Sequence, residues 1–385
     1  MIDLAKVRAE TPGCSRVAHF NNAGAALPPL AVIDAVADHL DLEAAIGGYE
    51  ADEIADEASE RFYDAVAGLV GAGRDEIAYV ENATRAWDMA FYAIPFGSGD
   101  RILTTRSEYA SNGIALLQVA RNRGARVEVV PDDEHGQISL DALEAELAKG
   151  GVKLVAINHV PTHNGLVNPA EEVGRLCRAH GVLYLLDACQ SVGQCPVDVE
   201  AIGCDMLSAT GRKFLRGPRG TGFLYVRRSV LRTLEPPFLD LHSADWTAHD
   251  AYEVRDDARR FETWERFVAG QIGLGVAADY AVALGLDAIE ERTVALAERL
   301  REGLASRAGV TVLDRGLRRS GIVTFTVAGQ DPTALKLRLR EVGVNVSVAN
   351  VARQRFEMSQ SPPAIRASVH YYNDEDEIER LLANI

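Results

Sequence analysis

Cysteine is scarce in this chain: there are five in 385 residues, none lies after Cys204, and no two share C-x-x-C spacing. An odd count without that spacing indicates neither a disulfide framework nor a zinc site, so the thiols are expected to be reduced and mostly buried, and no metal centre is expected. Basic charge is also in deficit, with 40 Lys and Arg against 56 Asp and Glu and a net charge of -16. Such a balance repels a phosphate backbone and an anionic bilayer surface, and no local basic patch offsets it, which removes nucleic acid and membrane from the expected partners. Long apolar runs are missing too. No stretch approaches the roughly 18 residues of a spanning helix, and the opening MIDLAKVRAE lacks the basic cap and apolar core of a secretory signal. A cytoplasmic protein is expected.

What is present is the composition of an ordinary folded globular protein, 47% hydrophobic with charge spread along the chain. The length exceeds one compact core and suits a large domain with a smaller one. Short β-branched runs (RILTT at 101, RVEVV at 126, KLVAIN at 153, VLYLLD at 182, DMLSA at 205, GFLYV at 222) alternate with amphipathic stretches at 111–123, 139–149 and 170–180. That rhythm predicts an α/β domain, a mainly parallel sheet with helices on both faces. After about residue 235 the pattern changes to an irregular stretch with Pro236 and Pro237, then a long helical region at about 265–307, then GIVTFTV, VNVSV and AIRASVHY with two more helices. The expected organisation is an N-terminal segment 1–20, a large domain 21–255, and a long connecting helix with a small α+β domain over 256–385.

The strongest chemical signal is LLDACQS at 185–191, followed 26 residues after its aspartate by Lys213 in ATGRKF. An acid at the end of a buried strand sits where open α/β sheets bind ligands, and the lysine follows the next strand, so both can reach one crevice. Pyridoxal 5'-phosphate (PLP) chemistry needs this pair: the lysine carries the cofactor as a Schiff base and the carboxylate keeps the pyridine nitrogen protonated. Taken singly, Asp187 reads equally well as a helix cap and Lys213 as a solvated loop lysine.

These residues resemble the class V aminotransferase and cysteine desulfurase family of fold-type I PLP enzymes. The family's Asp-x-x-Gln is matched by Asp187 and Gln190, and its Ser or Thr three before the lysine by Thr210. The resemblance implies a phosphate turn at Ala83, Thr84 and Arg85, where a helix start presents free N–H groups. It implies that Arg212, in the place of a family histidine, also serves the phosphate, and that Tyr109, after Ser107 and Glu108, stacks on the ring and joins Lys213 and Asp187 in catalysis. Arg366 in AIRAS would bind the substrate carboxylate; Asn22 and Thr162 would line substrate or cofactor. IGGYEAD at 46–52 looks like the ergothioneine-pathway sulfoxide lyases and isopenicillin-epimerase-like members, with Tyr49 toward the substrate. Where the family often has Glu-x-Gly-Thr, this chain has Trp264 and Glu265, leaving Thr263 as the phosphate donor to a neighbouring subunit. A homodimer follows from the same resemblance.

A persulfide-forming desulfurase needs a thiol on a loop in the C-terminal third, and NVARQRFEMSQSPP at 350–363 offers none. That absence together with the IGGYEAD resemblance gives the expected reaction, β-elimination by a C–S lyase acting on a cysteine conjugate or sulfoxide. The alternatives are a class V aminotransferase, or an epimerase using Tyr109, His159 or His163 as a second acid/base. The segment GPRGTG at 217–222 leads into a strand rather than opening a helix, which argues against a dinucleotide loop. Joint presence of Asp187, Gln190, Lys213 and Arg366 argues against a non-catalytic scaffold.

Overall fold

The computed structural model describes residues 2–350, 356 and 363–385. A seven-stranded sheet runs in the spatial order Ile77–Val80, Gly222–Val226, Met206–Thr210, Leu183–Asp187, Val152–Asn158, Arg101–Thr105, Arg126–Val130. Gly222–Val226 lies antiparallel to both neighbours; the remaining pairings are parallel. The central strands read as continuous apolar runs because both faces are covered. Successive side chains alternate between two cores: Leu103, Ile157, Leu186 and Leu207 pack on one face, Ile102, Ala156, Leu185 and Met206 on the other. Of the seven strands, Ile77–Val80 is the one the sequence pattern missed.

The small unit is a four-stranded antiparallel sheet, Val310–Val312, Ile322–Val327, Ala364–Ser368 and Ser347–Ala349. It shares one core with helices Leu286–Ala305, Pro332–Glu341 and Glu375–Ala383. Ala18 and Phe20 belong to that core, and Ala18–His19 pairs in parallel with Val344–Asn345. The end of the expected N-terminal segment is thus a strand of the small unit. The expected long helix is two, Val268–Leu284 and Leu286–Ala305, meeting at 81° around Gly285, whose φ of +87° suits glycine. The stretch expected to be irregular contains an exposed hairpin, Ala244–Ala248 with Ala251–Val254. Among the described residues no single helix is long and apolar enough to cross a membrane.

The lysine loop is held from three directions. Arg216, fully buried at φ +62°, donates to Leu27 O (2.8 Å), Tyr371 Oη (2.7 Å) and Thr11 Oγ1 (2.6 Å), and its own N–H closes a turn on Lys213 O. A left-handed non-glycine residue costs on the order of 1–3 kcal/mol, and these bonds offset it. His370 Nε2 bonds Phe214 O at 2.7 Å, and Gly193 at φ +89° lets the turn after Gln190 pass against the Phe214–Leu215 backbone, where any Cβ would collide.

Candidate active site

Three strands of the large sheet end together in Asn158, Asp187 and Thr210, and the cavity opens there. It encloses about 390 Å³, and its lining includes Ala83, Thr84, Tyr109, Thr162, Asp187, Gln190, Thr210, Arg212 and Lys213. Nine of the sequence-derived residues therefore meet in one place. They come from five separate segments, which only the sheet topology brings together.

Asp187 accepts from Asn112 Nδ2 (3.0 Å) and Asn158 Nδ2 (2.9 Å) on Oδ2, and from the Cys189 N–H (2.9 Å) on Oδ1. Every one of these neighbours is a donor, so both oxygens serve as acceptors. Burial lowers the pKa of Lys213, against the opposing pull of Cys189 and Asp187, which favours the uncharged amine that forms a Schiff base. Gln190 donates Nε2 to Thr162 Oγ1 (3.0 Å) and to Ala23 O (3.2 Å), while its buried Oε1 has no partner in the protein. A buried acceptor without a donor costs about 1–3 kcal/mol unless a ligand supplies one.

At the other end, Asn82 caps the helix Ala83–Tyr92, accepting from Arg85 N at 3.0 Å, and the helix start opens to the cavity. Gly222 lies beneath it, and a Cβ there would come within 3.2 Å of Ala83 N and 2.6 Å of Ala209 O, so glycine sets how closely this turn approaches the sheet. Thr210 Oγ1 accepts from Arg212 Nη1 at 3.0 Å. Helix N–H groups, hydroxyls and a guanidinium converge, the donor set a phosphate requires. The half-exposed Tyr109 presents its ring to the same space. Arg366 donates to Thr162 Oγ1 and O and to Asn21 Oδ1 (3.4 Å), and burial brings its pKa down to about 10. PLP fits this arrangement: an amine, an acceptor for a ring N–H, a ring-sized gap and a phosphate cradle.

One family model, aminotransferase class-V, matches residues 18–381. The chain belongs to that family. It is 30% identical to a probable cysteine desulfurase of Pyrococcus abyssi over 98% of this chain and 95% of that one. It is 32% identical to a probable cysteine desulfurase of Xylella fastidiosa, over 99% and 94%. The cysteine desulfurase of Thermococcus onnurineus superposes with a TM-score of 0.90 at 28% identity, covering 100% of this chain and 97% of that one. The cystine C–S lyase C-DES, solved with its reaction product cysteine persulfide, shares the fold at a TM-score of 0.88 and 24% identity, covering 97% and 98%. The chain is a PLP-dependent enzyme of fold type I.

Three residues expected at the site lie elsewhere, and Thr263, expected to serve a neighbouring subunit, also lies outside this cavity. Asn22 is fully buried, donating to Ser368 O (2.7 Å) and His19 O (3.1 Å), and its neighbour Asn21 is the one that touches Arg366. Arg85 turns away from the helix start, its guanidinium 4.9 Å from the Phe238 ring, into a cleft it shares with Thr263. Thr263 donates to Glu265 O at 3.1 Å because buried Glu262, held by Tyr63, Tyr79 N and His242, fixes this segment on the far side. Tyr49 stands 71% exposed beside a separate cleft with Asp52, His242, Trp264 and Arg266.

Conversely, Asn158, Asn112, Ser107 and Arg219 were missed. The Glu-x-x-x-Asn spacing of Glu108 and Asn112 at a helix start was the available signal. His159 and His163 do not line the cavity; burial drives the pKa of each down to about 4.

Proposed function

We propose that this enzyme is a C–S lyase that removes a thiol or sulfenate from Cβ of a cysteine conjugate or cysteine sulfoxide. The carrying observation is a cavity furnished for amino-acid PLP chemistry in a chain with no thiol fit to receive sulfur. No cysteine follows Cys204 in the sequence. Cys189 is the one cysteine that lines the cavity, and burial first, then Asp187, pushes its pKa well up, which disfavours the thiolate. The curated relatives named as probable desulfurases support C–S cleavage as the class of bond broken.

In this reading Arg366 binds the substrate carboxylate, exchanging its bonds to Thr162 for a bidentate ion pair. PLP, when bound, accepts the electron pair left at Cα. Lys213 Nζ takes the Cα proton, for which a neutral amine is required. The Cβ–S bond breaks with its pair going to sulfur, and Lys213 Nζ can return the proton to the departing thiolate. Water then hydrolyses the released enamino acid to pyruvate and ammonia. Asn112 and Asn158 hold Asp187 in place throughout, and Gln190 keeps Thr162 oriented.

Amino transfer would use the same lysine with a second, keto-acid substrate. Epimerisation needs an acid/base on the opposite side of Cα, and of the three residues considered for it Tyr109 alone lines the cavity. Turnover of S-alkyl cysteines and their sulfoxides separates these outcomes. Pyruvate equal to released thiol, with all five cysteines unmodified by intact mass, supports the lyase. Alanine with sulfur left on the protein, or amino-group exchange without pyruvate, defeats it.

We also infer a homodimer. Tyr49, Phe238, Leu241 and Trp264 are 71%, 60%, 75% and 53% exposed, an apolar population that two-fold pairing would cover. Light scattering giving one chain's mass would refute this.

A further inference from the structure

Asp187 and Tyr109 sit on different elements, yet one closed circuit of hydrogen bonds joins them. Asn112 uses both Nδ2 hydrogens in it, one to Asp187 Oδ2 and one to Glu108 Oε1, each at 3.0 Å. The Tyr109 N–H is shared between Glu108 Oε1 (2.7 Å) and Asn158 Oδ1 (3.0 Å), and Asn158 Nδ2 returns to Asp187 Oδ2 at 2.9 Å. We propose that Glu108 is a positioning residue, a buried carboxyl that locks the partner of the cofactor's ring nitrogen, Asp187, to the ring-face residue Tyr109. The inference depends on the cofactor and not on which bond of the substrate is broken.

Geometry decides which carboxyl holds the proton. Glu108 is 2% exposed, and among the described residues no lysine or arginine pairs with it. Its Oε2 lies 2.9 Å from Thr104 Oγ1, a hydroxyl that can accept as well as donate, so a protonated Glu108 has a partner for its O–H. Asp187 has no such partner, because the Asn112, Asn158 and Cys189 groups bonded to it only donate. Two buried carboxylates bridged by one amide do not both ionise cheaply. The neighbours facing Glu108 are Thr104 from its strand, Asn112 from its helix and Asp187 from the central strand, of which only Asp187 carries charge. Burial, with Asp187 second, raises the Glu108 pKa to about 7.

The test loads the protein with PLP labelled with 15N in the ring and follows the ring-nitrogen shift and visible absorbance from about pH 5 to about pH 9, without substrate. Wild type is expected to show a step near the Glu108 pKa, as a second negative charge appears beside Asp187. Glu108→Gln keeps each hydrogen bond, accepting through Oε1 and donating through Nε2 to Thr104, but cannot ionise. It should hold the low-pH signal across the range with no step. Glu108→Ala should alter that signal and weaken PLP affinity about tenfold. A step that persists in Glu108→Gln, or Gln and Ala variants that behave alike, would overturn the proposal.

Discussion

Arg366 on the small unit's sheet donates through Nη1 to both oxygens of Thr162, which lies beyond the end of the large sheet's Val152–Asn158 strand: 2.5 Å to Oγ1 and 3.1 Å to the carbonyl. No carboxylate among the described residues pairs with this guanidinium, and its Nε is buried without a partner. A cation so placed is poised for an anion that the protein itself does not provide.

Replacing Arg366 separates binding from stability. Arg366→Lys keeps the charge but loses the planar fork, and KM for an amino-acid substrate should rise about 10- to 100-fold, as expected for one lost charge-assisted pair. Arg366→Met should bind substrate still less well, while its thermal midpoint without substrate stays equal to or above that of wild type. A large loss of stability in Arg366→Met would show that the charge is satisfied internally.

Lys213→Ala removes both the covalent anchor and the proton carrier. The purified variant should lack the visible band of the lysine-bound cofactor, and turnover should fall by about 10⁴-fold, near the upper end of what a positioned acid/base contributes. Added methylamine restoring part of the activity would locate the loss at the missing amine.

Stability of the cofactor-free protein should depend on pH through two buried groups of opposite sign. Glu108 is raised from 4.5 to about 7, so the stability it contributes is complete below pH 4.5 and fades as pH rises through 7. His159, lowered from 6.5 to about 4 by burial and then by Arg318, contributes stability present above pH 6.5 and lost as pH falls through 4. Each shift corresponds to about 3 kcal/mol at most. Thermal midpoints against pH should lose the alkaline decline in Glu108→Gln and part of the acid decline in His159→Phe.

Arg216 tests the clamp on the lysine loop. Arg216→Ala leaves Leu27 O, Tyr371 Oη and Thr11 Oγ1 without their donor and should cost about 3 kcal/mol or more in denaturant unfolding. Arg216→Gly relieves the left-handed backbone yet loses the same bonds, so it should recover only about 1 kcal/mol of that loss. Slower cofactor uptake in both variants would connect the clamp to Lys213.

Much of the architecture was legible because it is written in local patterns. The apolar runs at 154–157 and 183–186 are continuous because helices cover both faces of the sheet, and the glycines after 123 and 180 end their helices with positive φ. Ile77–Val80 escaped notice because four apolar residues between two helices read equally well as the end of a helix. The Asp187 and Lys213 pair carried the cofactor assignment, with Gln190 and Thr210 added by the family resemblance, since Asp187 and Thr210 end two neighbouring strands and Gln190 and Lys213 follow in the turns just beyond them.

Other positions depended on three-dimensional neighbours. Asn22 and Asn21 differ by one residue, and only the bridge between Asn21 and Ser368 decides which faces Arg366. Arg85 and Thr84 are adjacent, but a helix turns about 100° per residue, so one lines the cavity and the other meets Phe238. By itself the sequence determined six of the sheet's seven strands, the lysine and aspartate pair and the lack of a cysteine after Cys204, because strand periodicity, residue chemistry and composition are properties of the chain. Tertiary structure decided that Asn112 would bridge two carboxyl groups and that Tyr49 and Thr263 would stand away from the cavity, because hydrogen bonds between distant segments depend on register and rotation that no local pattern encodes.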